Sequence, residues 1–310
     1  MDERAKNYCM RLNQEFIKKF GENISNNTKL SSYSWFNLGG PAEYLFKPKS
    51  KQQLIDFLEE NKQNKLKLTI LGAGSNLLIR DNGIRGVVIK LGPPFSKIKL
   101  AERNVIEAGA AALDRKVSNF AKENGIGNLE FLSCIPGSLG GAIIMNSGCY
   151  ENDISKVLVS IKAIDLQSCK EKEIKRDEIK FFYRGSNLSS GLIITSVKLK
   201  GKEQSKEIIE KKQHELIQRK KLTQPSQVKT CGSTFKNLNK NQKAWQLIKQ
   251  SGCDSFKEGD AEVSKKHCNF FINNGKANAS DIEKLINKVK ETVSKKTGID
   301  LELEIKIIGD

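Results

Sequence analysis

The sequence predicts an α+β protein built in more than one unit, on three observations. Short apolar runs of strand length follow one another, glycine-rich turns separate them, and amphipathic stretches of helical period interrupt the series. At 310 residues the chain also exceeds the size at which one apolar core usually suffices, so two domains are expected. No apolar run approaches the roughly 18 residues that a membrane span needs. The opening MDERAKNYCMRLNQEFIKKF reads as an amphipathic helix and lacks the apolar core and cleavage site of a secretory signal. A cytoplasmic protein with no membrane partner is expected.

Taken in order, Ser50 and Gln53 stand at capping-box spacing and open a helix over 50–60 with Leu54, Phe57 and Leu58 on one face. Strands are predicted at Leu68–Leu71, 77–80 and 86–91, separated by Gly72-Ala73-Gly74-Ser75-Asn76 and by the turn Asp81-Asn82-Gly83. Pro93-Pro94 breaks this pattern. A second α+β unit follows, with a strand at Val105–Gly109 and a helix carrying Leu113, Val117, Phe120 and Ala121, closed by Gly125. Residues 131–150 are the densest glycine segment and lead to strands over 157–165 and Leu192–Lys200. A charged helix over 203–221 and the loop 223–231 with Pro225 approach a C-terminal unit. In that unit Ser280 and Glu283 are expected to cap a helix bearing Ile282, Leu285, Ile286, Val289 and Val293 and ending at Gly298, and 301–308 reads as a final strand. The expected division is 1–200 against 201–310, with an inner division near 92–100.

Composition excludes several chemistries. The seven cysteines, Cys9, Cys134, Cys149, Cys169, Cys231, Cys253 and Cys268, are odd in number, scattered and free of any C-x-x-C, so reduced thiols fit better than a disulfide framework or a zinc ribbon. With only His214 and His267, a multi-histidine metal site or a histidine-paired nucleophile has little room, and no metal is expected. The charge, 53 − 36 = +17, is spread along the chain beside acidic residues at helical spacing, as in 202–221, without interleaved aromatics. That is a solvated surface, and no nucleic-acid partner is expected. A basic nucleic-acid-binding protein stays as the remote alternative, with the net charge as its only support.

Gly72-Ala73-Gly74-Ser75-Asn76 follows a strand, but the third glycine of a Rossmann fingerprint is missing and a strand rather than a helix comes next. Alone it reads as a tight turn. A second glycine cluster at 137–148 alters that reading, because two Gly/Ser/Asn loops can clasp one extended dinucleotide of flavin type. Ser233, after Gly232, is either a turn residue or a positioned hydroxyl donor. Arg184, beside Tyr183, either lays its stem on the surface or offers its planar fork to a carboxylate. By pattern Glu304 faces outward. These residues by themselves do not name a reaction.

Their order does more. Leu38-Gly39-Gly40-Pro41-Ala42, Leu71-Gly72-Ala73-Gly74-Ser75-Asn76-Leu77-Leu78, Glu130-Phe131, Ile135-Pro136-Gly137-Ser138-Leu139-Gly140-Gly141-Ala142 and Met145-Asn146-Ser147-Gly148 occur in series. Tyr183-Arg184, Gly232-Ser233-Thr234-Phe235-Lys236-Asn237, Val263-Ser264 with His267, Phe270-Phe271-Ile272-Asn273 and Leu301-Glu302-Leu303-Glu304 with Gly309 complete them. Over nearly its whole length the chain resembles the UDP-N-acetylenolpyruvoylglucosamine reductases, flavoenzymes that complete UDP-N-acetylmuramate for peptidoglycan.

The resemblance implies a vanillyl-alcohol-oxidase/PCMH-type FAD-binding domain of two α+β subdomains, then an α+β substrate domain whose last strand returns toward the flavin. It implies non-covalent FAD, contacted by Gly72, Ala73, Gly74, Ser75, Asn76, Leu77, Ile135, Pro136, Gly137, Ser138, Gly140, Gly141, Asn146 and Gly148. In such enzymes NADPH reduces the flavin, and the methylene carbon of UDP-N-acetylglucosamine enolpyruvate then takes the hydride. By motif match Ser233 supplies the proton, while Arg184 and Glu304 stabilise the enolate. Tyr183, Lys221, Lys236 and Asn237 are assigned to the substrate, with Arg219 and Lys220 as further candidates for its diphosphate. Three positions depart from the family pattern: Asn37 where a basic residue is expected, Lys306 where arginine is common, and no proline after Asn237. The spacing from Arg184 to Ser233 places the chain in the shorter branch, without the extra substrate-capping loop, and a monomer is expected. Another FAD-dependent oxidoreductase of the same fold is the alternative within enzymes.

Overall fold

The computed structural model of the protein describes residues 16–188, 191–239 and 241–310. The predicted N-terminal helix lies outside the described residues except for 16–20, which are helical. Two sheets carry the first half of the molecule. In one, Ile24–Lys29 pairs antiparallel with Pro41–Phe46, beside which Ile84–Lys90 and then Leu68–Leu71 run parallel. The other is antiparallel and orders Glu171–Lys175, Leu158–Asp165, Leu192–Lys200, Val105–Gly109 and Ile98–Glu102. Its two edge strands escaped sequence reading because their side chains are mostly outward and charged residues interrupt the apolar ones, as is usual at a sheet edge.

The helix Lys51–Asn64 covers the first sheet with Leu54, Phe57 and Leu58, and the Phe57 ring stacks on Phe46 at 4.0 Å and 17°. Ser50 caps it, its Oγ accepting from Gln53 N at 3.0 Å. The box is not reciprocal, because Gln53 Oε1 accepts from Lys49 N at 2.7 Å instead of from Ser50. Asp114–Glu123 ends as predicted, with Gly125 in the left-handed region. Leu113, however, precedes that helix and is exposed, so it is not part of the buried face that Val117 and Ala121 form.

Three further expectations need correction. Within the glycine segment, 139–144 form a short helix (Leu139–Ile144) that glycine content concealed. The helix Ala279–Thr297 is capped two residues earlier than expected: Asn278 Oδ1 accepts from Asp281 N at 2.8 Å and Asp281 Oδ2 accepts from Asn278 N at 3.0 Å. Ser280 lies inside its first turn. The final strand spans only Lys306–Ile308, and it pairs parallel with Leu77–Ile79, a strand that sequence proximity would assign to its own hairpin.

That pairing welds the C-terminal unit to the first half. A small sheet of Lys257–Glu258, Ala261–Val263 and Phe271–Asn273 packs with Ala244–Gln250 and Ala279–Thr297, and their core of Phe235, Phe271, Leu285 and Val289 also takes in Phe36, Leu38 and Leu78. The helix Lys206–Thr223 lies instead against Asp114–Glu123, where Gln213 Nε2 donates to Ser118 O at 3.1 Å. Asn37, at the departure from the family pattern, has φ 55°, a conformation asparagine tolerates better than most residues. Among the described residues no helix is long and apolar enough to cross a membrane.

Candidate active site

Two clefts, each of about 520 Å3, meet along the edge of the first half. The first lies between the loop 72–76 and the segment 135–141 and is mainly apolar, with Ile70, Leu71, Leu113, Ile135 and Ile194 in its walls. The two loops touch: a Cβ on Gly72 would stand 3.0 Å from Ser138 Oγ. Gly74, at φ 70°, approaches Tyr33 so closely that a Cβ would lie 1.8 Å from its carbonyl oxygen, so only glycine lets the loop close there. Leu139 and Gly140 donate their N–H groups to the Ala112 and Ala110 carbonyls at 2.9 and 2.8 Å. Those two amides are therefore not free for an anion, and Gly140 serves the packing on Ala110.

The predicted cofactor contacts within 72–77 and 135–141 all line this cleft. Asn146 and Gly148 do not. Asn146 is buried, with Nδ2 donating to Phe182 O at 3.2 Å and Oδ1 accepting from Ser155 N at 3.1 Å, so both ends of its amide fix backbone. Gly148 belongs to the second cleft, where its carbonyl accepts from Arg184 Nη2 at 3.2 Å.

One residue in the first cleft escaped sequence reading. Asp114 is fully buried beneath Gly137, and among the described residues neither carboxylate oxygen has a hydrogen-bond partner. Burial pushes its carboxyl well above the usual range, which favours the protonated form, with an O–H to donate. In sequence it looks like an ordinary acidic residue in a helix's first turn.

The second cleft shares Ser75, Asn76, Ile135, Pro136, Met145 and Ser147 with the first. At its centre Arg184 Nε donates to Glu304 Oε1 at 2.8 Å, and the guanidinium stands 4.9 Å from the Tyr183 ring centre. Arg184 sits at φ 57°, a costly conformation for a non-glycine residue. Glu304 is thus turned inward, correcting the outward reading: alternation in a strand does not apply where the backbone is irregular. Burial raises the Glu304 carboxyl above its ordinary value, and Arg184 pulls it partly back. For Arg184 burial works against the charge, yet Glu304 leaves the guanidinium more firmly protonated than usual.

Ser233 is brought here by a clamp. Thr234 N donates to Asn269 O at 2.7 Å, Phe235 N donates to Asn269 Oδ1 at 2.9 Å, and Glu304 N donates to Thr234 O at 2.8 Å. Among the described residues the Ser233 hydroxyl has no hydrogen-bond partner, and it lines the cleft. Asn76 closes the circuit from the glycine loop, its Nδ2 donating to Glu304 O at 3.0 Å and its carbonyl accepting from Lys306 N at 3.0 Å. Residues separated by more than two hundred positions are so joined around one space.

The FAD binding domain family matches residues 42–168, and the family described as UDP-N-acetylenolpyruvoylglucosamine reductase, C-terminal domain, matches residues 224–308. A UDP-N-acetylenolpyruvoylglucosamine reductase of Pelagibacter ubique is 46% identical over 300 residues, covering 95% of this chain and 99% of its own. The protein of that name from the Wolbachia of Drosophila simulans is 43% identical over 280 residues, covering 90% and 94%. The crystal structure of the Thermus caldophilus reductase superposes with a TM-score of 0.80 at 31% identity, over 92% of this chain and 98% of that one. The chain belongs to the UDP-N-acetylenolpyruvoylglucosamine reductase family.

It is accordingly a flavin-dependent oxidoreductase with the expected architecture, an FAD-binding domain of two α+β parts and an α+β C-terminal part. FAD fits the first cleft: the walls are mainly apolar, the rim is glycine, and the buried Asp114 carboxyl, whose pKa is raised, is left without a partner among the described residues. The residues assigned to the reductase substrate are less evenly placed. Asn237 lines the second cleft, and its Nδ2 donates at 3.4 Å to the Oη of Tyr183, which is exposed and lies outside the lining. Lys236 is turned to Glu302 and lies outside the lining. Lys221 is exposed and also outside, whereas Lys220 lines the cleft and donates to Cys134 O at 2.6 Å. Neighbours on a helix point about 100° apart, so motif matching within a basic run is sensitive to one step. Tyr150, Lys243, Trp245 and His267 also line the space without having been singled out for it. Burial lowers the His267 pKa, which makes it a neutral ring beside Asn269.

Proposed function

We propose that the protein reduces the enolpyruvyl group of UDP-N-acetylglucosamine enolpyruvate to give UDP-N-acetylmuramate for peptidoglycan, using NADPH and non-covalent FAD. The observation that carries this reading is the half-buried Arg184–Glu304 pair and, lining the same cleft, a Ser233 hydroxyl without a hydrogen-bond partner among the described residues, where that cleft adjoins the first. Bound FAD supplies the hydride exchange between nicotinamide and substrate carbon. Among the described residues no histidine or cysteine lines the first cleft, which supports a flavin held without a covalent link.

The chain's residues do the rest. Arg184 commits Nε and Nη2 to Glu304 and Gly148, and its remaining N–H groups are left for the substrate carboxylate. Charge that develops there as the enolate forms meets a guanidinium already oriented, so little reorganisation is needed. Ser233 delivers the proton to the adjacent carbon, and its hydroxyl is a weak acid whose transfer depends on that stabilisation. Glu304 fixes Arg184 and, with its raised carboxyl pKa, takes up a proton more readily than an exposed glutamate. Lys220, with Asn237 and Tyr183, holds the nucleotide side of the substrate. Residues 1–200 then serve the cofactor and 201–310 the substrate, with Lys206–Thr223 lying across to bring Lys220 into the cleft. The reading takes the protein as a cytoplasmic monomer.

The test is the visible spectrum of the purified protein under anaerobic conditions. A yellow flavin band that bleaches with NADPH and returns on adding the enolpyruvyl substrate is the expected result. Protein that stays colourless after reconstitution with FAD, or reduced flavin indifferent to that substrate, overturns the proposal.

A further inference from the structure

The second cleft contains a pair of groups that the reaction does not use. Cys134 ends the turn Glu130–Cys134 and Cys149 lies in the short strand Gly148–Cys149, fifteen positions on by their numbers, and both line the cleft. The strand packs directly against the turn that ends in Cys134. Cys149 Sγ donates to Phe131 O at 3.5 Å, and Ser133 Oγ stands 3.8 Å from Cys134 Sγ. Lys220 and Arg184 bring positive charge to the pair, and Tyr150 shares the wall. No other described cysteine has such surroundings: Cys231 is buried and pushed up to about 11, and burial also raises Cys169, Cys253 and Cys268.

We propose that Cys134 and Cys149 form a modification site, a dithiol that a small hydroperoxide entering the substrate cleft oxidises to a disulfide. The neighbouring Cys149 thiol, with help from Ser133 and Lys220, lowers the Cys134 thiol to about 7, so it is the attacking thiolate, and Cys149, whose pKa is raised, keeps its proton. Cys134 sulfur attacks the peroxide, the O–O bond breaks, and the departing oxygen takes a proton as alcohol or water. The resulting sulfenic acid is attacked by Cys149 sulfur, the S–S bond forms, and hydroxide leaves with the Cys149 proton as water. The dithiol loses two electrons and two protons, and the hydroperoxide is reduced by the same two electrons.

The consequence follows from Gly148. Its carbonyl holds Arg184 Nη2, and Cys149 is the next residue, so a cross-link to Cys134 displaces the guanidinium that the reaction needs. The first cleft contains neither sulfur and keeps its flavin. This consequence rests on the proposed reaction; the cross-link does not.

The experiment treats the FAD-loaded full chain with hydrogen peroxide, then blocks free thiols and reads intact mass and linked peptides. The expected result is a loss of two hydrogens, a Cys134–Cys149 linked peptide, an unchanged flavin spectrum, and substrate-driven reoxidation slowed by about 100-fold, the effect of misplacing a positioning group by about 1 Å. A thiol reductant restores the rate. In Cys149→Ala the Cys134 sulfenic acid is trapped by dimedone and no link forms, and the double variant Cys134→Ala/Cys149→Ala keeps its own untreated rate. Oxygen added elsewhere without the link, or equal peroxide sensitivity in the double variant, overturns the proposal. If the flavin reading fails instead, the protein is colourless while the linked peptide still appears.

Discussion

The two clefts have the same volume and share a wall, yet they are made differently. The first is built mainly from glycine loops and apolar side chains, with the buried carboxyl of Asp114 and the ammonium groups of Lys90 and Lys306 as its ionisable groups. The second is built from charged and polar side chains delivered by segments far apart in the chain: Asn76, Arg184, Lys220, Ser233, Asn269 and Glu304. The difference teaches where each kind of recognition resides. A cofactor held along a groove can be served by local loops, whereas moving a proton and steadying a new charge requires groups aimed from several directions.

The largest way to break this contrast is Arg184→Ala. It leaves the half-buried Glu304 without its partner and removes the donor proposed for the substrate carboxylate, so turnover falls by about 100- to 1,000-fold while the flavin stays bound. A colourless variant would mean that the second cleft also builds the first. Glu304→Gln keeps a polar partner for Arg184 and loses less. Next in size is the pair Lys220→Met and Lys221→Met: the first raises the substrate KM by about 10-fold or more, since a charge-assisted hydrogen bond is lost, and the second changes neither KM nor kcat. Steady-state titration of both nucleotides distinguishes them, and equal effects would contradict the placement of Lys220 inside and Lys221 outside.

The smallest effect belongs to Asp114→Asn, which preserves shape and a donor, so FAD binding is retained. The sign of its pH dependence is fixed by burial. A carboxyl whose pKa is raised in the folded state binds more protons folded than unfolded, so the stability it contributes is present at low pH and lost as pH rises through the folded value. Asparagine has nothing to lose. The Tm advantage of the variant over the parent should therefore widen as pH increases; an advantage that shrinks with pH would show that Asp114 is ionised in the fold.

The sequence was readable where the determinants are local. The Ser50 cap, the Gly125 stop, the strands at Leu68–Leu71 and Leu192–Lys200 and the two glycine loops each depend on a few neighbouring residues. Asn146 and Gly148 show the limit of motif matching, because a motif does not say which member faces the ligand and which holds the backbone. Glu304 and Asp114 were opaque for another reason. Their burial comes from Arg184 and from the 135–138 loop, partners that only the folded chain brings near. Strand Lys306–Ile308 pairing with Leu77–Ile79 is likewise a long-range event that no local period encodes.

The central claim is that hydride exchange belongs to the first cleft and proton delivery to Ser233 in the second. Anaerobic half-reactions of Ser233→Ala, followed by flavin absorbance, test it most directly. The account predicts that NADPH bleaches the flavin at the parent rate, while reoxidation by the enolpyruvyl substrate slows by about 100- to 10,000-fold, the range for loss of a positioned acid. Reoxidation at the parent rate would contradict it and remove Ser233 from the proton's path.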